Sequence, residues 1–89
     1  MRNTLRITGN MVNVRQAIHD ERKWIFCDWV IFPFSSISHI TEYGPTIGED
    51  IEAADIHFIN GKKKTCAFDG QKSELSQLIS AWSDYVDTH

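Results

Sequence analysis

Between Lys23 and Lys62 the sequence contains no lysine and no arginine, although it holds six carboxylates there and seven of the ten aromatic residues. The residues up to Lys23 carry five cations against two acids, and the chain as a whole has a net charge of −3. An acidic, aromatic-rich centre on so short a chain is typical of a surface that meets another macromolecule, preferably a basic one. The charge balance argues against direct binding of nucleic acid, which favours a concentrated basic face.

Long apolar runs are also missing. The N-terminus lacks the apolar core of a signal peptide, and the most apolar run, residues 24–34, is interrupted by Asp28 and Pro33, so we expect no membrane segment. Two cysteines without a secretion signal are typical of reduced thiols. These absences predict a cytoplasmic protein.

Catalytic and metal-binding motifs are absent as well. Cys27, Cys66, His39 and His57 have no metal-ligand spacing, and the glycines are scattered at turns and do not form a phosphate-binding loop. No serine or cysteine has the sequence context of an activated nucleophile. We therefore predict a protein that is not an enzyme and that uses no metal and no cofactor.

What is present predicts a fold. The 89 residues suffice for one domain, residues 1–89, with a thin core. Residues 71–87 have helical periodicity, with a cap at Asp69 or Ser73. The apolar stripe predicted to pack on the sheet comprises Leu75, Leu78, Ile79, Trp82 and Val86.

Asn60 and Gly61 lie between two β-rich runs and predict a hairpin. A two-residue loop would pair Ile56 with Thr65. A three-residue loop with a glycine bulge would pair Ile56 with Cys66, and we prefer it. Its core face would hold Ala54, Ile56, Phe58, Cys66 and Phe68, and its other face Asp55, His57, Ile59, Thr65 and Ala67.

The remaining segments are predicted as strands and turns. Residues 4–8 and 24–34 favour strands, and residues 35–42 resemble a turn that leads into a short strand. Residues 11–18 favour a strand over a short helix capped by Asn13. Gly9-Asn10 and residues 19–23 are predicted turns, and residues 44–52 an acidic loop. Together these segments predict an α+β fold, an antiparallel sheet of about four to six strands with one C-terminal helix on one face.

Three groups of residues are candidates for binding. Trp24, Phe26 and Trp29 belong to a strand that is apolar on both faces, which predicts a homodimer contact. The lysines at the hairpin tip, Lys62, Lys63 and Lys64, are read as a solvated turn that protects a sheet edge, or as a phosphate contact. The acidic residues expected to recognise the partner are Glu42, Glu49, Asp50, Glu52 and Asp55.

The order of elements also resembles known small proteins. The run Phe32-Pro-Phe-Ser-Ser-Ile-Ser-His-Ile40 is followed by a strand, the turn Asn60-Gly61-Lys62, a return strand and a terminal helix. This order resembles that of many proteins encoded by phages and prophages, and that of the FlbD family of small flagellar proteins. The resemblance covers about residues 30–87. It implies a fold and a phage or mobile-element origin, and with that origin a location in the cytoplasm of a bacterial host cell. It assigns no functional residue.

The leading hypothesis is a small non-catalytic binding protein that acts on a host protein, for example by inhibiting a host defence or nucleic-acid-handling complex. Its partner would carry a basic, nucleic-acid-binding surface. One alternative is a module that sequesters or senses a nucleotide or another small ligand. Another is a small transcriptional or flagellar regulator.

Overall fold

The chain forms one antiparallel sheet of six strands and one C-terminal helix, in a computed structural model that describes residues 3–44 and 50–89. A short 3₁₀ helix, Phe34–Ser36, connects the third strand to the fourth. The predicted α+β class is confirmed. The elements are β1 (Leu5–Thr8), β2 (Met11–Asp20), β3 (Lys23–Pro33), β4 (Ile37–Glu42), β5 (Ile51–Phe58), β6 (Lys63–Asp69) and α1 (Glu74–Thr88).

The sheet has two parts. In the first part, β2 pairs with β1 and with β3; in the second, β5 lies between β4 and β6. One bridge, between Gln16 and Cys66, joins β2 to β6. Beside this bridge the β2–β3 register shifts, so that Gln16 faces both Cys27 and Asp28. Such a bulge bends a strand and increases its twist, which lets the long β2–β3 hairpin cross the other three strands.

Two strands at the margins of the sheet, β3 and β4, approach each other because the sheet is strongly coiled. Among the described residues β3 pairs only with β2, and β4 only with β5. Nevertheless, the rings of Trp24 on β3 and Tyr43 after β4 have centroids 5.7 Å apart. At the other end of β3, the Phe32 ring meets the Phe58 ring edge-on at 4.9 Å. A flat sheet would hold β3 several strand spacings from both β4 and β5.

The larger core lies between one sheet face and α1. Leu75 and Leu78 are fully covered there, and Ile79 and Trp82 are partly buried, as the predicted stripe requires. Val86 was wrongly assigned to this stripe, because 55% of it is exposed. The last helical turn instead contacts the core through Tyr85, whose ring stacks on Phe34.

The buried residues of this larger core are Val12, Val14, Phe32, Phe34, Ile37, Ala54, Ile56, Cys66, Phe68, Leu75 and Leu78.

A second, smaller core covers the opposite face of the β5–β6 hairpin. Ala17, Ile51 and Ala67 are buried there, with Trp24 and Phe26 packed against them. Alanine has little side-chain volume, so the β2–β3 hairpin can approach this face closely. The face predicted as the outer one is therefore also partly buried.

The β5–β6 register corrects the prediction. Ile56 pairs with Lys64 and not with Cys66. The loop has three residues, since the N–H of Phe58 donates to the carbonyl of Lys62 at 2.8 Å, and Gly61 takes the positive φ of 87° that such a turn needs. The predicted core face survives because side chains on a strand repeat every two residues, and a shift by two leaves each on its own face.

The first third of the chain is β-structure, as favoured by the sequence. Residues 11–20 form a strand, so the helical alternative is wrong, and the turn after it contains only Glu21 and Arg22. The turn predicted at residues 19–23 is therefore shorter than expected, and Glu21 takes a positive φ of 55° in it without being glycine.

A buried polar network fixes the N-terminus of α1. The N–H and hydroxyl of Thr4 both donate to Oε1 of Glu74, at 3.2 and 2.7 Å, and the N–H of Asp69 donates to the Thr4 hydroxyl at 3.0 Å. Ser73 occupies the predicted cap position, but its side chain makes no capping hydrogen bond. The carboxylate of Glu74 in the first helical turn interacts favourably with the helix dipole.

The helix packing can be tested with two truncations in α1. We expect Leu78→Ala to lower the free energy of unfolding by about 2–5 kcal/mol, because it leaves a cavity in the larger core. Val86→Ala, the matched control on the exposed side, should change it by less than about 1 kcal/mol. Urea melts of both variants measure this difference, and equal effects would contradict the packing described.

The two thiols should differ in reactivity. Burial raises the pKa of Cys66 to about 12, although the charge of Lys64 opposes this shift. Cys27 is only half buried. We expect a thiol-specific reagent at pH 8 to modify one cysteine in the native protein and both after unfolding. In Cys27→Ser, rapid labelling should require denaturant, and fast labelling of native Cys27→Ser would contradict the burial of Cys66.

Candidate functional site

A cavity of about 350 Å³ lies between the end of β3 and the tip of the β5–β6 hairpin. It is bordered on one side by residues 31–33 and on the other by residues 58–60 and 62–64, with Ser36 between the two sides. The coiling of the sheet creates the cavity, because it brings an edge strand opposite a turn that is remote in sequence.

The floor of the cavity is apolar and its sides are exposed. Ile59 is 74% exposed and Ile31 63%, and these are the two most exposed large apolar side chains among the described residues. Phe32 and Phe58, which meet edge-on, also border the cavity. Exposed apolar side chains that converge on one concavity mark a binding surface more strongly than the same number scattered singly.

Hydrogen bonds hold the cavity in shape. The N–H of Ile59 donates to the carbonyl of Ser36 at 2.9 Å, and the Ser36 hydroxyl donates to the carbonyl of Pro33 at 2.7 Å. At the turn, the N–H of Lys62 donates to Oδ1 of Asn60 at 2.9 Å. A site with these constraints loses little conformational entropy when it is occupied.

Three cations line the rim. Lys62, Lys63 and Lys64 are exposed, as predicted, and no acidic side chain is among the described residues that border the cavity. Nζ of Lys63 lies 3.5 Å from Oδ2 of Asp55. Lys62 and Lys64 form no ion pair with any residue in the described part of the chain. The rim therefore presents two cations whose charge is not neutralised nearby.

Asp55 does not lie on an exposed loop, which corrects the prediction. It is a β5 residue, only 6% exposed, and its carboxylate accepts hydrogen bonds from Thr65 at 2.6 Å and from Tyr43 at 2.9 and 3.0 Å. Burial acts to raise the pKa of Asp55, but the bonds from Thr65 and Tyr43 and the charge of Lys63 outweigh it, so the pKa lies below its usual value.

The other predicted acidic residues are dispersed. Glu42 is exposed at the end of β4, and Glu52 is half buried within β5. Asp50 is exposed and accepts a hydrogen bond from the side-chain amide of Gln71 at 2.8 Å. Glu49 lies outside the described residues. Within the described part of the chain, these carboxylates belong to different elements and form no continuous acidic loop.

The predicted interface aromatics are partly covered by the chain itself. Trp24 contacts His19 and Tyr43, with ring centroids 4.9 and 5.7 Å away. The guanidinium carbons of Arg6 and Arg15 lie 4.8 and 5.6 Å from the centre of the Trp29 ring. These cation–π contacts stabilise the half-buried indole. A homodimer contact through these aromatics stays a prediction.

Two histidines, His39 and His57, form a pair that belongs to no group of metal ligands in the described part of the chain. His39 and His57 face each other across β4 and β5, with nearly parallel rings 4.0 Å apart. In residues 3–44 and 50–89, no three histidine, cysteine, aspartate or glutamate side chains are grouped closely enough to hold a metal ion. Among the described elements, no helix has the length and hydrophobicity needed to cross a bilayer.

Comparison with known proteins adds no assignment. No protein-family model matches the chain, and neither curated proteins nor solved structures give a match. The resemblance to small phage proteins and to the FlbD family, and with it the phage or mobile-element origin, therefore stays a prediction.

The sequence indicated the lysines of this site but missed its apolar half. Ile59 precedes Asn60-Gly61 inside a turn, where a large apolar residue has little to pack against. This position was the signal from which its exposure could have been predicted. Ile31 gave no signal, since it belongs to a run of β-formers in which every residue is a candidate for burial.

The hydrogen bonds to Asp55 can be tested by pH. Because its pKa is lower in the folded state, its contribution to stability is present above the unfolded value of about 3.9 and is lost as the pH falls through the folded value. We expect Asp55→Asn to cost about 1–3 kcal/mol at pH 7 and less at pH 3. Urea melts across this range, with exposed Glu42→Gln as the control, measure the effect. A cost independent of pH would contradict it.

Proposed function

We propose that this chain is a small non-catalytic binding protein that acts by protein–protein interaction, and that the lysine-rimmed cavity receives its partner. One observation carries the proposal: the two most exposed large apolar side chains, Ile31 and Ile59, border the same cavity as the lysines 62–64. An apolar centre with a charged rim is the usual anatomy of a protein-binding surface.

The charges indicate the chemistry of the partner. Lys62 and Lys64 are exposed at the rim, and no carboxylate in the described chain pairs with them. A partner segment that places acidic side chains there and a large apolar side chain in the cavity would complement both features. The lysines would mainly accelerate association, and the apolar contact would slow dissociation.

A protein segment fits this surface better than a nucleotide. The polar uncharged side chains that border the cavity are Ser36 and Asn60. The Ser36 hydroxyl donates to a backbone carbonyl and the Asn60 amide oxygen accepts a backbone N–H, so the amide N–H groups of Asn60 are the uncharged donors that these bonds leave for a base. Recognition of a base by hydrogen bonds needs polar groups that are available to it. An apolar side chain requires none.

A random-peptide display library selected on the immobilised protein tests this function. We expect enriched peptides to combine glutamate or aspartate with a large apolar residue. Their affinity should fall by about tenfold or more in the variant K62E/K64E, because reversal of two rim charges replaces attraction by repulsion. A tenfold loss corresponds to about 1.4 kcal/mol of binding free energy. Lys63 is left unchanged because it pairs with Asp55.

The matched control is R22E/K23E, which makes the same change in net charge at the exposed far end of the β2–β3 hairpin. Affinity for the enriched peptides should be retained in this control. Failure to enrich any peptide, or equal losses in the two variants, would contradict the proposed function.

A further inference from the structure

We infer that the partner segment binds in extended conformation, as a strand added beside the cavity to the edge of β3 that faces away from β2. The inference rests on the function proposed above and deepens it. It specifies that backbone hydrogen bonds to β3 hold an acidic and apolar segment, in the manner of β-strand addition.

The lining of the cavity points to the strand edge. Ile31, Phe32 and Pro33 all border it, although they are consecutive residues of one strand. Neighbouring side chains on a strand point to opposite faces, so a cavity over one face would be bordered by alternate residues only. Contact with three consecutive residues places the cavity against the edge of β3.

This edge has backbone groups to offer. Among the described residues, the part of β3 that borders the cavity pairs with no strand except β2. Alternate N–H and C=O groups of an edge strand point away from the sheet and are available for a further strand. Pro33 has no N–H, so the added strand would pair with the residues that precede it.

The side chains around the edge set the pattern of the segment. Ile31 exposes apolar surface on the β3 side of the cavity, and Ile59, Lys62 and Lys64 lie on the opposite side, at the hairpin tip. An extended segment points alternate side chains to opposite sides. A sequence in which acidic and apolar residues alternate therefore matches this surface, with one large apolar residue in the cavity.

A second copy of the chain fits less well. Asp28, Glu42 and Asp50, the exposed carboxylates in the centre of the described chain, lie within β3, at the end of β4 and before β5; Asp28 is the one acidic residue of its strand, and Asp55 is buried. Within the described residues, no extended acidic segment is available for a neighbouring copy. A separate protein is therefore the expected source of the segment.

Backbone methylation of a peptide probe tests the mode of binding. The probe is a short labelled peptide in which glutamate alternates with valine around a central phenylalanine. Two derivatives carry N-methyl groups on alternate residues, one on the odd and one on the even positions. An added strand turns only one of these two sets of N–H groups toward β3, so one derivative should lose at least about tenfold in affinity and the other little.

Fluorescence anisotropy with the wild-type protein measures these affinities. The variant I59D, in which an exposed side chain of the cavity becomes acidic, should bind the parent peptide more weakly, as K62E/K64E does. Hydrogen exchange supplies a second readout, because saturation with the parent peptide should slow the exchange of alternate amides of β3.

Three outcomes would overturn the inference. In the first, both derivatives bind as the parent does or lose affinity equally, which excludes backbone pairing. In the second, the parent peptide does not bind although the display selection succeeds, and the proposed function then survives with another binding mode. In the third, light scattering shows a dimer whose β3 amides are already protected without peptide, which assigns the edge to a second copy.

Discussion

The β5–β6 hairpin is buried on both of its faces, and the rest of the fold is arranged around this constraint. One face contacts α1 through Ile56 and Phe68, and the other contacts the β2–β3 hairpin through Ala67. A chain of 89 residues has few ways to cover two faces of a sheet. It does so here by coiling the sheet, with a bulge next to the bridge between Gln16 and Cys66.

The candidate site follows from the same coiling. The end of β3 lies near the tip of the β5–β6 hairpin. Phe32 meets Phe58 there, and a cavity remains beside the two rings. The exposed Ile31 and Ile59 have no apolar cover at this point, because the two elements approach without pairing. A partner that occupies the gap would complete apolar contacts that the coiled sheet leaves unfinished.

Folding also decides which charged side chains reach the surface. Asp55 belongs to an acidic stretch of sequence, but Thr65 and Tyr43 hold its carboxylate inside the fold. Lys63 is drawn toward this carboxylate, whereas Lys62 and Lys64 remain exposed. A protein with a net charge of −3 thus presents a cationic rim at the one cavity that our proposals concern. Local electrostatics there depends on these neighbours more than on the total charge.

Local sequence patterns were sufficient for most elements. The 3.6-residue period of α1 and the two-residue period of the strands are properties of neighbouring residues, so the α+β class, the helix and the face that buries Cys66 were all predictable. The register of β5 and β6 was not, since registers that differ by two residues bury the same side chains. Similarly, Val86 continues the period of the helix but extends past the surface that would cover it.

In the candidate site, too, one part could be predicted from local sequence and the other part could not. Three consecutive lysines beside an Asn-Gly turn are exposed in almost any fold, so the cationic half could be read from the sequence. The apolar half and the burial of Asp55 could not, because they depend on contacts between strands far apart in the chain. Whether a side chain is covered is decided by what the coiled sheet places opposite it, and no local pattern carries that information.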